Sequence, residues 1–211
     1  MDRPADPMGD APTPLAARAQ RNGMIPVATA LVVAALLVAG LGEPAAALLR
    51  YERRAVLAGD AWRLVTGHLV HLGWIHLALN AAGLALVAVL LGAQWRARQW
   101  AALALACALG VGLGLLAFDP QLAWYVGLSG IAHGLVAAGA VPMALARRGV
   151  GLAWVLALAG KLAWEQVRGG TTPAAWIGGA TVVDAHLYGA LAGALAAAVL
   201  CALARRWRST S

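Results

Sequence analysis

The sequence predicts an all-α, polytopic membrane protein: a bundle of six transmembrane helices with both termini on the cytoplasmic side. Three observations carry this. Of the 211 residues, 62% are hydrophobic and only 12% charged, with a mean hydropathy of +0.74, whereas a soluble domain is nearer half apolar and a quarter charged. The apolar residues come in blocks of about the length needed to cross a bilayer. The arginines gather in short clusters between those blocks, where they orient helices. That placement also assigns the net charge of +7 to the lipid bilayer rather than to nucleic acid. One bundle accounts for the whole length.

Taken in order, residues 1–23 are rich in Pro, Asp and Ala and read as a disordered cytoplasmic tail. The uncharged block Met24–Gly42 is longer than the apolar core of a signal peptide, so it reads as a retained first span. Glu43–Arg63 reads as a polar loop, with Trp62 suited to a membrane–water boundary. Leu64–Trp95 holds no formal charge and is too long for one helix. Its first part is therefore loop or re-entrant chain, and the second span begins near Trp74 and ends before Arg96. The third span, Gln99–Phe118, stops at Asp119 and Pro120. The fourth runs from about Val126 to Ala146. The fifth starts at Gly149 and carries Lys161 and Glu165, spaced to pair on one face as a structural ion pair. A Gly- and Thr-rich loop follows, Gly169–Gly179, suited to a mobile cap. The sixth span is roughly Val182–Ala204, and a basic cytoplasmic tail closes the chain at 206–211. The membrane domain is thus 24–205.

With the N-terminus inside, inner segments hold Arg3, Arg18, Arg21, Arg96, Arg98, Arg147, Arg148, Arg205, Arg206 and Arg208. Outer segments hold Arg50, Arg53, Arg54, Arg63 and Arg168. Ten against five favours that orientation. Cys107 and Cys201 lie in different apolar blocks and read as packing residues rather than a disulfide or metal site.

Spans two, four and six then all enter from the outside, and each carries polar residues near its start. Span two has His76 and Asn80, four apart on one face. Span four has Ser129 between Gly127 and Gly130. Span six has His186, on one face with Gly189 and Gly193. The pairs Gly130/Gly134 and Gly189/Gly193 are GxxxG stripes, which let helices approach closely. Packed together, spans four and six would bring Ser129 to His186. A serine hydroxyl is a poor nucleophile until a base takes its proton, and His186 is suited to that part. The Ser129 amide at a helix start and the side chains of His76 and Asn80 are candidate oxyanion donors. Asp184 sits two residues from His186, the wrong spacing to face it. The expectation is a Ser–His dyad without a third carboxylate.

These motifs resemble those of the rhomboid family of intramembrane serine proteases. The matching pieces are Trp62–Arg63, His76 to Asn80, Gly127-x-Ser129-Gly130, and Ala185–His186 with Gly189 and Gly193, in the family's order from about Gly59 to Ala204. The resemblance implies a Ser129–His186 dyad, an oxyanion site near His76 and Asn80, a water-filled cavity opening outward, and no cofactor or metal. It also implies substrates that are membrane-anchored proteins. Family members commonly carry an aromatic residue four after the serine, and here that position is His133. In this it looks like the rhombosortase branch, which implies a multi-pass protein of the bacterial inner membrane. Its substrates would carry a C-terminal Gly-Gly motif, a transmembrane helix and a basic tail. His133 is expected either to wall the site, with Gly127 and Gly130, or to bridge helices.

Other readings are a rhomboid-like protein that binds transmembrane helices without cutting them, and a transporter or haem protein using the five histidines. A zinc protease is disfavoured by the lack of an HExxH motif. His68 and His71 are expected to pack at the loop boundary.

Overall fold

The computed structural model describes residues 22–209. The tail expected to be disordered falls, for residues 1–21, outside the described residues. Its last two residues belong to the fold: Asn22 donates from Nδ2 to the Ala88 carbonyl at 2.6 Å and accepts the Met24 amide at 3.1 Å.

The chain is mostly helical. Helix α1 spans Met24–Leu41, and the short α2, Glu43–Leu49, follows it. A two-residue strand β1, Tyr51–Glu52, leads into α3, Arg53–Leu57, and α4, Arg63–Thr66. After a 3-10 turn at Gly67–Leu69 come α5, Trp74–Leu91, and α6, Ala97–Phe118. Strand β2, Trp124–Tyr125, precedes α7, Ser129–Leu145, and α8, Gly149–Arg168. The short α9, Ala174–Ile177, precedes α10, Val183–Ser209.

All six expected apolar blocks are helices, but only four are both long and apolar enough to cross a membrane: α1, α5 with its extension to Gln94, α6 and α10. Helix α7 is shorter, at 17 residues. Its start is set by Gly127, whose φ of +118° takes the chain out of any regular element. Helix α8 has 20 residues but carries Lys161, Glu165 and Arg168. Helix α10 runs on through the segment expected as a tail, because nothing between Arg205 and Ser209 breaks a helix.

The segment 43–63 is not the open polar loop its composition predicts. Arg63 is buried, 8% exposed, and knits the segment together. Its guanidinium donates to Asp60 Oδ2 at 2.9 Å and to the carbonyls of Ala47 and Arg50 at 2.9 and 3.0 Å. β1 pairs antiparallel with β2, Tyr51 opposite Tyr125. This ties the segment to the chain that leads into Ser129. That ladder is also the one departure from an all-α fold among the described residues.

The core lies between α5, α6, α7 and α10, filled by Leu84, Leu91, Trp100, Leu103 and Leu135. Small residues set the spacing of α7 and α10. A Cβ on Gly189 would run into the Gly130 carbonyl, and one on Gly193 into that of Gly134. Pro142 inside α7 has no N–H for the Ala138 carbonyl four residues earlier. Trp95 Nε1 donates to that carbonyl instead, at 2.9 Å. Cys107 is buried and free, and Cys201 is free.

Candidate active site

Ser129 is the first residue of α7, so its backbone amide lies among the N-terminal N–H groups that have no partner within the helix. The loop before it is held rigidly. The Tyr125 hydroxyl, kept protonated by burial that raises its pKa, donates to the Gly127 carbonyl at 2.8 Å. The Gly127 amide donates to the Gly67 carbonyl at 3.3 Å. His68, 1% exposed, lies between the carbonyls of Ala108 at 3.1 Å and Gly127 at 3.3 Å. Burial lowers its pKa, so the ring is neutral and has one N–H to give. One of these two carbonyls therefore receives it. His68 therefore packs, as expected, and does so directly beneath the serine loop.

Close packing of α7 and α10 brings His186 Nε2 to 2.9 Å from Ser129 Oγ. The His133 ring lies flat on the His186 ring, with centroids 4.1 Å apart and planes at 14°. His133 Nδ1 contacts the Ser129 carbonyl at 2.7 Å and donates to it. His133 therefore touches both His186 and the backbone of Ser129.

His76 accepts the Leu72 amide at Nδ1, 3.3 Å away. Its proton is therefore on Nε2, on the side of the ring that faces Gly127. Asn80 is buried and spends one amide hydrogen on the His76 carbonyl at 2.9 Å, leaving a second. His71 stands edge-on to His76, centroids 5.0 Å apart. Burial, with His76 nearby, pushes it down to about 4, so it is neutral.

Two cavities meet the site. One of about 340 Å³ reaches Ser129 and His76 and is walled by Trp124, Tyr125 and Val126 on one side and Gly178–Val182 on the other. Of the segment expected as a cap, Ile177, Gly178 and Gly179 reach this cavity, and Ile177 is buried. The other, about 320 Å³ and apolar, lies between α5 and α8 with His133 and Lys161 in its lining.

The expectation that no carboxylate stands behind His186 is corrected. Glu165 Oε2 is 2.9 Å from His186 Nδ1, and Glu165 is 1% exposed. Its partner Oε1 accepts from Lys161 Nζ at 2.6 Å, so the expected ion pair exists and its carboxylate also contacts His186. Asp184 interacts instead with Asp119, whose carboxyl is pushed up by its own burial and by that neighbour. The i, i+2 spacing correctly removes Asp184, but no spacing rule reports on Glu165. It reaches His186 from another helix. The available signal was its cost, since an ionisable residue in a transmembrane helix turns toward the bundle interior.

His133, Glu165 and His186 place one ligand atom each within 4.8 Å of one another. The Lys161 ammonium beside Glu165 opposes a second cation there, and the three side chains already bond one another or Ser129. Such a set can chemically take a proton from a hydroxyl and offer donors to an oxyanion. Compared with models of protein families, the chain matches the Rhomboid domain over residues 58–203. Among curated proteins nothing matches.

Proposed function

The chain belongs to the rhomboid family, and from that premise we propose that it is an intramembrane serine endopeptidase with Ser129 as nucleophile and His186 as base. The observation that carries the reading is the 2.9 Å contact between Ser129 Oγ and His186 Nε2. Ser129 Oγ attacks the scissile carbonyl carbon while its proton passes to His186 Nε2. The oxyanion is met by the Ser129 amide, His76 Nε2–H and the second Asn80 amide hydrogen. His186 then gives its proton to the leaving nitrogen as the C–N bond breaks. Water, deprotonated by His186 Nε2, attacks the acyl carbon, and the proton returns from Nε2 to Ser129 Oγ as the acyl C–O bond breaks. A rhomboid-like protein that only binds helices would have no use for this contact.

The six helices read as six spans with both termini cytoplasmic, on the balance of arginines. In that orientation the Ser129 cavity opens outward, in a multi-pass protein of the bacterial inner membrane. The apolar groove between α5 and α8 suits a substrate helix, and the cavity over Ser129 suits extended backbone leaving its end. Glycine lowers the cost of unwinding a helix there. His133 and this preference support the rhombosortase reading, with substrates that end in a Gly-Gly motif, a transmembrane helix and a basic tail. The test is a reporter fused to such a tail and expressed with this protein. We expect release of the reporter, suppressed far more by replacing the two glycines with leucines than by changing the basic tail. Equal release from the Gly-Gly and Leu-Leu tails contradicts the branch.

A further inference from the structure

We propose that Glu165 is a positioning residue that completes a Ser129–His186–Glu165 relay, with Lys161 holding its far oxygen. This rests on the protease reading and goes beyond its Ser–His pair.

Glu165 stands on α8 and His186 on α10, so their contact is tertiary, made across the bundle. An ionised carboxylate has only acceptors. His186 Nδ1 must therefore be the donor, and that places the Nε2 lone pair against the Ser129 hydroxyl. Without Glu165 either tautomer is open to a neutral imidazole, and the one with its proton on Nε2 cannot take the serine proton. When the proton arrives, the imidazolium lies beside a fixed negative charge. The proton goes from Ser129 Oγ to His186 Nε2 and on to the leaving nitrogen, and Glu165 stays ionised throughout.

Lys161 makes the arrangement durable. A lone carboxylate, 1% exposed among apolar helices, would be unstable as an anion. Lys161, whose side chain is 40% exposed, supplies the countercharge at Oε1 and leaves Oε2 for His186. Thr171 Oγ1 adds a longer contact at 3.5 Å to Oε1. If Glu165 served only to neutralise Lys161, a helix-surface pair facing solvent would do so without the burial. The charged and titratable side chains around His186 are then His133 from α7, Lys161 and Glu165 from α8, and His76 from α5.

The test is the rate at which a fluorophosphonate labels the full-length protein in detergent, resolved into kinact and KI. The variants are Glu165→Gln, Glu165→Asp and the charge-neutral double Lys161→Met/Glu165→Gln. The double removes both members of the ion pair, so it avoids an unpaired Lys161 and keeps the question open to measurement if the single variant does not fold. We expect Glu165→Gln and the double to lower kinact by more than about a hundredfold, toward the roughly ten-thousandfold that loss of the orienting acid costs a serine triad. KI should change less than about threefold, and Glu165→Asp should recover at least about tenfold over Gln. Labelling of Gln or double variants within about threefold of wild type overturns the proposal. So does a loss shared by KI and thermal stability in which Asp is no better than Gln. Labelling of the wild type that Ser129→Ala does not abolish removes the protease reading itself, whatever Glu165 does.

Discussion

The His133 ring is stacked on the His186 ring at 4.1 Å while its Nδ1 is anchored on the Ser129 carbonyl. One side chain thus fixes the orientation of the other relative to the serine. Stacking of this kind contributes about 0.5–1.5 kcal/mol, or roughly two- to twelvefold in rate if it acts on the transition state. We expect His133→Ala to slow probe labelling by about that factor, and His133→Phe, which keeps the face, to stay near wild type. A Phe variant as slow as Ala would assign the role to the Nδ1 contact instead.

The tautomer of His76 makes the oxyanion site testable. With Nδ1 accepting from Leu72, Nε2–H is the donor facing the serine loop. His76→Ala is expected to lower turnover by roughly a hundred- to a thousandfold, the cost of one oxyanion donor. Asn80→Ala should cost less, because Asn80 already spends one hydrogen on the His76 carbonyl. Turnover and substrate binding measured separately should show the loss in turnover. Poor binding with normal turnover would make these residues part of the bundle's shape alone.

The glycine stripes predict a stability pattern. Gly189→Ala and Gly193→Ala drive a methyl into the carbonyls of α7 and should destabilise by about 1–3 kcal/mol each, with labelling lost in parallel. Gly160→Ala on α8 meets open space and should be neutral or stabilising by up to about 1 kcal/mol. Thermal unfolding in detergent checks both. A Gly189 variant as stable as wild type would mean that α7 and α10 sit further apart than described.

Much of this site was legible because its residues are spaced by helix geometry. His76 and Asn80 share a face four apart, and His186 shares one with Gly189 and Gly193. The small residues then say which helices meet. What was not legible is tertiary. Glu165 pairs with Lys161 at a readable spacing, but its second oxygen points at a residue 21 positions away, and only the packing of α8 beside α10 decides that. The segment 43–63 departs from its polar-loop expectation for a related reason. Its polar composition hides that Arg63 turns inward and collects three hydrogen bonds, a use of arginine that looks identical in sequence to a solvated one. The count of arginines as orienting charges included Arg63, whose guanidinium is buried.

The most direct test of the central claim is mass spectrometry of the fluorophosphonate adduct on the purified protein. The account predicts one adduct, on the peptide that carries Ser129, formed by the wild type and absent from Ser129→Ala and His186→Ala proteins that keep wild-type thermal stability. An adduct that persists in Ser129→Ala, or a stable wild type that forms none, would contradict it.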